Sequence, residues 1–405
     1  MRWWVTLGLL AAVRVAIPLA AYADRGARLP GLPRFVRARA HGGLSGDATG
    51  FYAATREFMA GWARMPRPLL GLLVVVALVV AVALVVVWRR RPQLQPWLAP
   101  AAVCAFGLLV CVDVHWMKPS GAAVFGWPLV WGIVELPFRA AGVLTQAVAW
   151  DVSFALQLGL VALTVIAVAY FARNASGRRW VGALAAACWA FWPLLVGAIA
   201  GHHAWANAQW EVDVGLHGYS EPLSTLLVVG AAALLLSERA TPLRLSLAGC
   251  ALSLATLTKL SNALLVVAAV LLTRFNRFFL AGAVSLAPLV AVYWPLSYPK
   301  LFDNPQSWPR DPFDPAHVVT TWTHSSLFYP RTLLIVAPLA LIGAFALRRP
   351  LALAFVVVFT LLNPVFYSFY TNTAQHPRFL YASLPFLFVL WAGGVETIRR
   401  CVASR

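Results

Sequence analysis

The stretch Leu69-Leu70-Gly71-Leu72-Leu73-Val74-Val75-Val76-Ala77-Leu78-Val79-Val80-Ala81-Val82-Ala83-Leu84-Val85-Val86-Val87-Trp88 decides the fold class. It holds no charged residue, and Arg89-Arg90-Arg91 follows it directly. A helix rises about 1.5 Å per residue, so a run of this length crosses the roughly 30 Å hydrocarbon core of a bilayer. The apolar residues are continuous rather than alternating, which excludes a strand of an outer-membrane barrel. The arginine triplet reads as the cytoplasmic flank of a membrane helix.

Working outward from this stretch, similar apolar runs recur along the chain. Taking loops of alternate sidedness, the pattern predicts an all-α polytopic membrane protein with about twelve transmembrane helices. They fall at 3–22, 69–88, 97–112, 153–172, 180–200, 219–237, 243–258, 261–273, 278–296, 331–347, 351–369 and 379–397. The composition agrees: of 405 residues 61% are hydrophobic and 11% charged, with a mean hydropathy of +0.76, more apolar surface than a soluble globular domain hides. The run from Trp3 to Tyr22 has the look of a signal peptide. It contains Arg14 and lacks a small-residue cleavage site, so it reads as a helix of the fold. Residues 1–405 read as a single transmembrane domain.

A net charge of +18 would point to nucleic acid in a soluble protein. Here much of the arginine sits in short loops: Arg89-Arg90-Arg91, Arg173 with Arg178-Arg179, Arg239 with Arg244, Arg274 with Arg277, Arg348-Arg349 and Arg399-Arg400. These fall on one side only if both termini are cytoplasmic, in the plasma (inner) membrane. Of five cysteines, four lie inside apolar runs and Cys401 in the basic tail, with no metal or disulfide spacing.

The irregular sequence gathers on the predicted outer side. Loop 23–67 holds eight arginines against the charge rule, for which external arginines would meet anionic headgroups or a phosphorylated ligand. Loop 113–150 carries Pro119, Pro128 and Pro137 with Trp116, Trp127, Trp131 and Trp150, which predicts helices lying in the interface with their rings at headgroup level. Between these two loops, 69–112 reads as an inserted helical hairpin.

Within the first outer loop, Gly46-Asp47-Ala48-Thr49-Gly50-Phe51-Tyr52-Ala53-Ala54-Thr55-Arg56-Glu57-Phe58-Met59 reads as a turn leading into a short amphipathic helix. Asp47, near a membrane surface, is the leading candidate for a carboxylate that takes a proton from a hydroxyl. Lys118-Pro119 and the tight hairpin Leu257-Thr258-Lys259-Leu260-Ser261-Asn262 each place a cation at the membrane lip, suited to a lipid phosphate. Lys118, Lys259 and Lys300 are the only lysines, and all three fall on the predicted outer side. Gln375-His376-Pro377-Arg378 offers a guanidinium able to grip a phosphate, with His376 beside it. Glu211, Asp213 and Glu221 are three of only 14 acidic residues. They could hold an acceptor's hydroxyls, coordinate a divalent cation or cap the helix that follows, and no spacing compels a metal site. Tyr219 and several tryptophans could stack on sugar faces.

Taken together, these motifs resemble the GT-C class of integral-membrane glycosyltransferases, in the polyprenyl-phosphate-sugar-dependent branch that includes protein mannosyltransferases and lipid A aminoarabinose transferases. Asp47 followed by Tyr52-Ala53-Ala54-Thr55-Arg56-Glu57 is similar to that branch's first outer loop. Lys118-Pro119-Ser120 resembles its K-P-P segment with the second proline lost. Leu257-Thr258-Lys259 resembles its L-T-K hairpin, and Pro377-Arg378-Phe379-Leu380 its P-R-Y/F-L segment. The inserted hairpin 69–112 is a departure from the pattern.

What the resemblance implies is an inverting transfer of a sugar from a polyprenyl-phosphate donor to a glycan, lipid or protein acceptor at the outer face. Asp47 would be the base. Lys118, Lys259, Arg378 and His376 would hold the donor phosphate; Tyr52, Arg56, Glu211, Asp213, Tyr219 and Glu221 would contact sugar or acceptor. No nucleotide-binding motif is present. The rival readings are a transporter that binds an anionic lipid without chemistry, against which stands the lack of repeat symmetry, and a lipid-diphosphate-dependent polymerase or ligase.

Overall fold

The computed structural model describes residues 3–23, 47–114, 116, 126–192, 218–238, 240–293, 314–319, 330–347, 349–369 and 381–404. Among these residues the chain is helical, with no strand. A helix lies in each of the twelve predicted apolar stretches. Four are long and apolar enough to cross a membrane: Arg67–Arg90, Pro92–Asp113, Gln146–Ser176 and Pro350–Ser368. The chain is therefore a helical protein with membrane-spanning character. Its contacts divide it into two compact units: Gly46–Val152 with Arg239–Trp308, and Met1–Ser45 with Ser153–Glu238 and Pro309–Arg405.

The unit that holds Gly46 is built from α2 (Asp47–Arg64), α3 (Arg67–Arg90), α4 (Gln95–Val114), α5 (Gly126–Ala140), α9 (Pro242–Thr258), α10 (Asn262–Leu272) and α11 (Arg277–Ala283, resuming at 287–293). Three of these run in the same direction. The ring of Trp97 near the start of α4 packs, tilted, on that of Phe278 at the start of α11, with ring centroids 5.0 Å apart. Further along, Gly107 of α4 faces Leu286 and Leu289. Between α9 and α11, Gly249 and Gly282 sit backbone to backbone, and a side chain on either would strike the other helix. Such small residues are what let apolar helices approach closely where no water drives them together. One turn later the Leu286 amide donates to Ser253 Oγ at 3.2 Å. The C-terminal ends of α4, α9 and the 287–293 helix thus come together.

Over those ends lie α2 and α5. Phe58 and Met59 of α2, Val110 of α4, Leu129 of α5, Leu257 of α9 and Leu286, Leu289 and Tyr293 form one buried cluster. The predicted amphipathic helix is present: Phe51, Ala54, Thr55, Phe58 and Met59 are buried at helical spacing, while Arg56 is exposed. Its apolar face is covered by protein. In the predicted 69–112 hairpin the two arms differ: α4 packs into this core, whereas α3 buries none of its residues.

In the second unit α14 (Leu384–Ala403) is central, packed by α7 (Arg179–Ala190), α12 (Pro330–Ala344) and α13 (Pro350–Ser368). Phe386 meets Phe171 of α6 (Gln146–Ser176) and Phe359 of α13 at centroid distances of 4.8 and 5.1 Å. At the far end of α14, Glu396 is buried and ion-paired with Arg178, with Arg399 at 3.0 Å and with Arg400 at 2.5 Å. Arg349 donates to the Leu236 carbonyl at the end of α8 (Glu221–Leu235). Three arginines thus meet around one carboxylate.

Candidate functional site

Asp47 is the first residue of α2. One turn on, Tyr52 is half-buried, its ring 5.7 Å from that of Trp131 on α5, and the Arg56 guanidinium lies 5.9 Å over the Tyr52 ring. Thr55 hydrogen-bonds the Phe51 carbonyl at 2.9 Å and the Pro128 carbonyl at 3.4 Å, tying α2 to the start of α5. That start reads Gly126-Trp127-Pro128, and proline is tolerated there because amides of a first turn have no intrahelical acceptor. Gly126 abuts Thr258: any side chain at 126 would overlap the Thr258 hydroxyl and amide. The first turn of α5 is therefore seated against the residue preceding Lys259.

Lys259 caps α9 in extended backbone (φ −153°, ψ 116°) and is half-buried. In this unit, then, α5 touches both the helix that Asp47 opens and the turn that carries Lys259. The predicted interfacial role of the tryptophans needs correction for three of the four. Trp127 and Trp131 on α5 are fully buried, Tyr52 of α2 packing on Trp131 and Trp127 on Trp131, and Trp150 is nearly buried.

Two carboxylates in this unit were not singled out from the sequence. Asp113, in the last turn of α4, is fully buried, and neither of its oxygens has a hydrogen-bond partner. It lies against Gly61 of α2, where a methyl group would sit 2.5 Å from Oδ1. Arg64 is an opposing charge that acts on it, and it is held by Glu57 at 3.0 Å and by the Trp116 carbonyl at 3.2 Å. Glu135 on α5 is also fully buried, and its oxygens accept no hydrogen bond of normal geometry. Burial pushes its carboxyl up to about 7, with Arg139 and the Trp131 indole pulling the other way. A signal for both was available: an ionisable side chain at the end of an apolar run is costly and commonly functional.

Tyr219 and Glu221 belong to the other unit. The Tyr219 carbonyl accepts from Gln157 Nε2 at 2.8 Å, and the Gly218 amide donates to Gln157 Oε1 at 3.2 Å. Gly218 has φ +74°, which a residue with a side chain rarely adopts. Glu221 opens α8 and is buried, beside the Ser220 hydroxyl at 3.4 Å. A carboxylate in a first turn suits the helix dipole. Nearby, Arg14 of α1 (Trp3–Ala23) is fully buried, donates to the Tyr381 hydroxyl at 3.1 Å and lies 5.4 Å over the Trp189 ring. Glu221 acts electrostatically on the same Tyr381.

Lys118, Glu211, Asp213, His376 and Arg378 lie outside the described residues. Among the described residues no group of three or more His, Cys, Asp or Glu could hold a metal ion. No protein-family model, curated protein or solved structure matches the chain.

Proposed function

We propose that this protein is an inverting glycosyltransferase of the GT-C type, with about twelve spans and cytoplasmic termini, acting at the outer face of the plasma membrane on a polyprenyl-phosphate sugar. The observation that carries this reading is the meeting of α2, the first turn of α5 and the Thr258-Lys259 turn over the gathered ends of α4, α9 and the 287–293 helix.

Chemically, the acceptor oxygen attacks the anomeric carbon from the face opposite the phosphate. The bond from that carbon to the phosphate oxygen breaks, its electron pair leaves with polyprenyl phosphate, and the acceptor proton passes to Asp47. Negative charge grows on the leaving oxygen, so a cation fixed at the membrane lip favours the transition state over the ground state. Lys259 is assigned that role, with Lys118 of the same unit. Tyr52 and Arg56 lie on the helix that Asp47 opens and are assigned to the sugar or acceptor.

The test is turnover by purified protein in lipid. Supplied with a polyprenyl-phosphate sugar and an acceptor extract, the wild type releases polyprenyl phosphate. Asp47→Asn lowers the rate by about a thousandfold while leaving donor binding intact. Donor binding without release in the wild type would favour a transporter. A near-normal rate in the variant would remove Asp47 as the base.

A further inference from the structure

We infer that Asn262 is a positioning residue for Lys259: its side chain locks the turn that presents the ammonium to the donor's phosphate. The inference rests on the glycosyl-transfer reading for its substrate, and on geometry for its mechanism.

A helix C-terminus leaves its last carbonyls without intrahelical donors. At the end of α9 two donors converge on one of them. The Ala255 carbonyl accepts the Lys259 amide at 2.8 Å and the Asn262 Nδ2 amide at 2.8 Å. Asn262 also returns its own backbone amide to the Lys259 carbonyl at 3.0 Å. A single residue thus grips Lys259 from both sides: it shares the acceptor that the Lys259 amide uses, and it holds the Lys259 carbonyl. Asn262 is fully buried, whereas Lys259 is half-buried and Leu260 exposed.

The residue before Lys259 is fixed as well. Thr258 gives its hydroxyl to the Leu254 carbonyl at 2.7 Å, and Gly126 of α5 closes over its backbone. A lysine has four rotatable side-chain bonds, so its ammonium is well placed only if the backbone beneath it does not move. Asn262 supplies that immobility from inside the protein. Serine and alanine are too short to reach the Ala255 carbonyl, and aspartate would turn an oxygen toward it.

The chain's three lysines make the turn directly readable. Full-length protein in lipid is treated with an amine-reactive reagent, and modification at Lys118, Lys259 and Lys300 is followed separately by mass spectrometry. Asn262→Ala, or Asn262→Asp where alanine does not give folded protein, is expected to change the labelling rate of Lys259 severalfold and to leave the other two unchanged. With polyprenyl-phosphate sugar as the probe, Asn262→Ala lowers kcat/KM about tenfold in the wild-type background but less than about twofold when Lys259 is already alanine.

Unchanged Lys259 labelling overturns the inference. So does a loss that multiplies fully with Lys259→Ala, because a residue that only supports the fold would behave in that way. If the wild type does not turn over the donor, the glycosyl-transfer reading fails, and the labelling alone decides whether Asn262 governs Lys259.

Discussion

Buried carboxylates in the two units are treated in opposite ways. In the unit centred on α14, Glu396 is enclosed by Arg178, Arg399 and Arg400. In the unit roofed by α2 and α5, Asp113 and Glu135 are just as deeply buried, and no hydrogen bond of normal geometry reaches their oxygens. Removing a carboxylate from water is expensive, and the expense is offset only where partners replace the lost hydration. Glu396 is a structural group whose charge is neutralised on the spot. The orphaned pair instead marks a region where the fold tolerates unfavourable electrostatics, and it is the region where Asp47 and Lys259 lie. The contrast separates a carboxylate held by arginines from a pair that no hydrogen bond of normal geometry reaches.

The comparison can be broken or sharpened by stability measurements in detergent or lipid. The largest effect is expected from Glu135. Its carboxyl is raised from about 4.5 to about 7, so the folded state holds a proton that the unfolded chain releases earlier. Stability therefore falls as pH rises from about 4.5 to about 7 and is flat above. Relative to Glu135→Gln the wild type should lose roughly 3 kcal/mol across that window, read as the difference between two melting curves. A parallel response in the two proteins would show that Glu135 is hydrated or paired.

Next in size is Glu396→Ala, which strips three arginines of their shared anion. Those arginines are 30–57% exposed, so water softens the loss to about 2 kcal/mol, less than breaking a fully buried pair. A variant as stable as wild type would remove the structural role of the cluster. Gly61→Ala forces a methyl against the Asp113 carboxyl and should cost about 1–2 kcal/mol. Asp113→Asn should change stability by less than about 1 kcal/mol, because it removes a buried carboxylate whose oxygens accept no hydrogen bond. A large destabilisation there would reveal a partner for Asp113 and erase the contrast.

How much of this was legible in the sequence differs from element to element. Run length and apolar continuity predict the helices well: each of the twelve stretches carries one, and the alternation of apolar and polar positions from Phe51 to Met59 sets the buried face of α2. Arginine bias assigned Arg178, Arg399 and Arg400 to one side of the membrane but gave no sign that they share Glu396. Sequence did not show that Trp127 and Trp131 are interior, because a ring at a lipid headgroup and a ring under a neighbouring helix have the same local pattern. Nor did it mark Asp113, whose meaning depends on Gly61, some fifty residues earlier, leaving room for its carboxyl. Pairing across such distances leaves no trace in periodicity. Asn262 was within the quoted hairpin, yet its role appears only once the Ala255 carbonyl is seen between it and Lys259.

The central claim is that the roofed unit receives the lipid-linked donor. A polyprenyl-phosphate analogue carrying a photoreactive group beside its phosphate tests it most directly, with the crosslinked peptides read by mass spectrometry. The account predicts label on residues 47–64, on the first turn of α5 and on the turn around Lys259, suppressed by excess unlabelled donor. Label confined to α1, α7, α8 and α14, with none on those three segments, would contradict it.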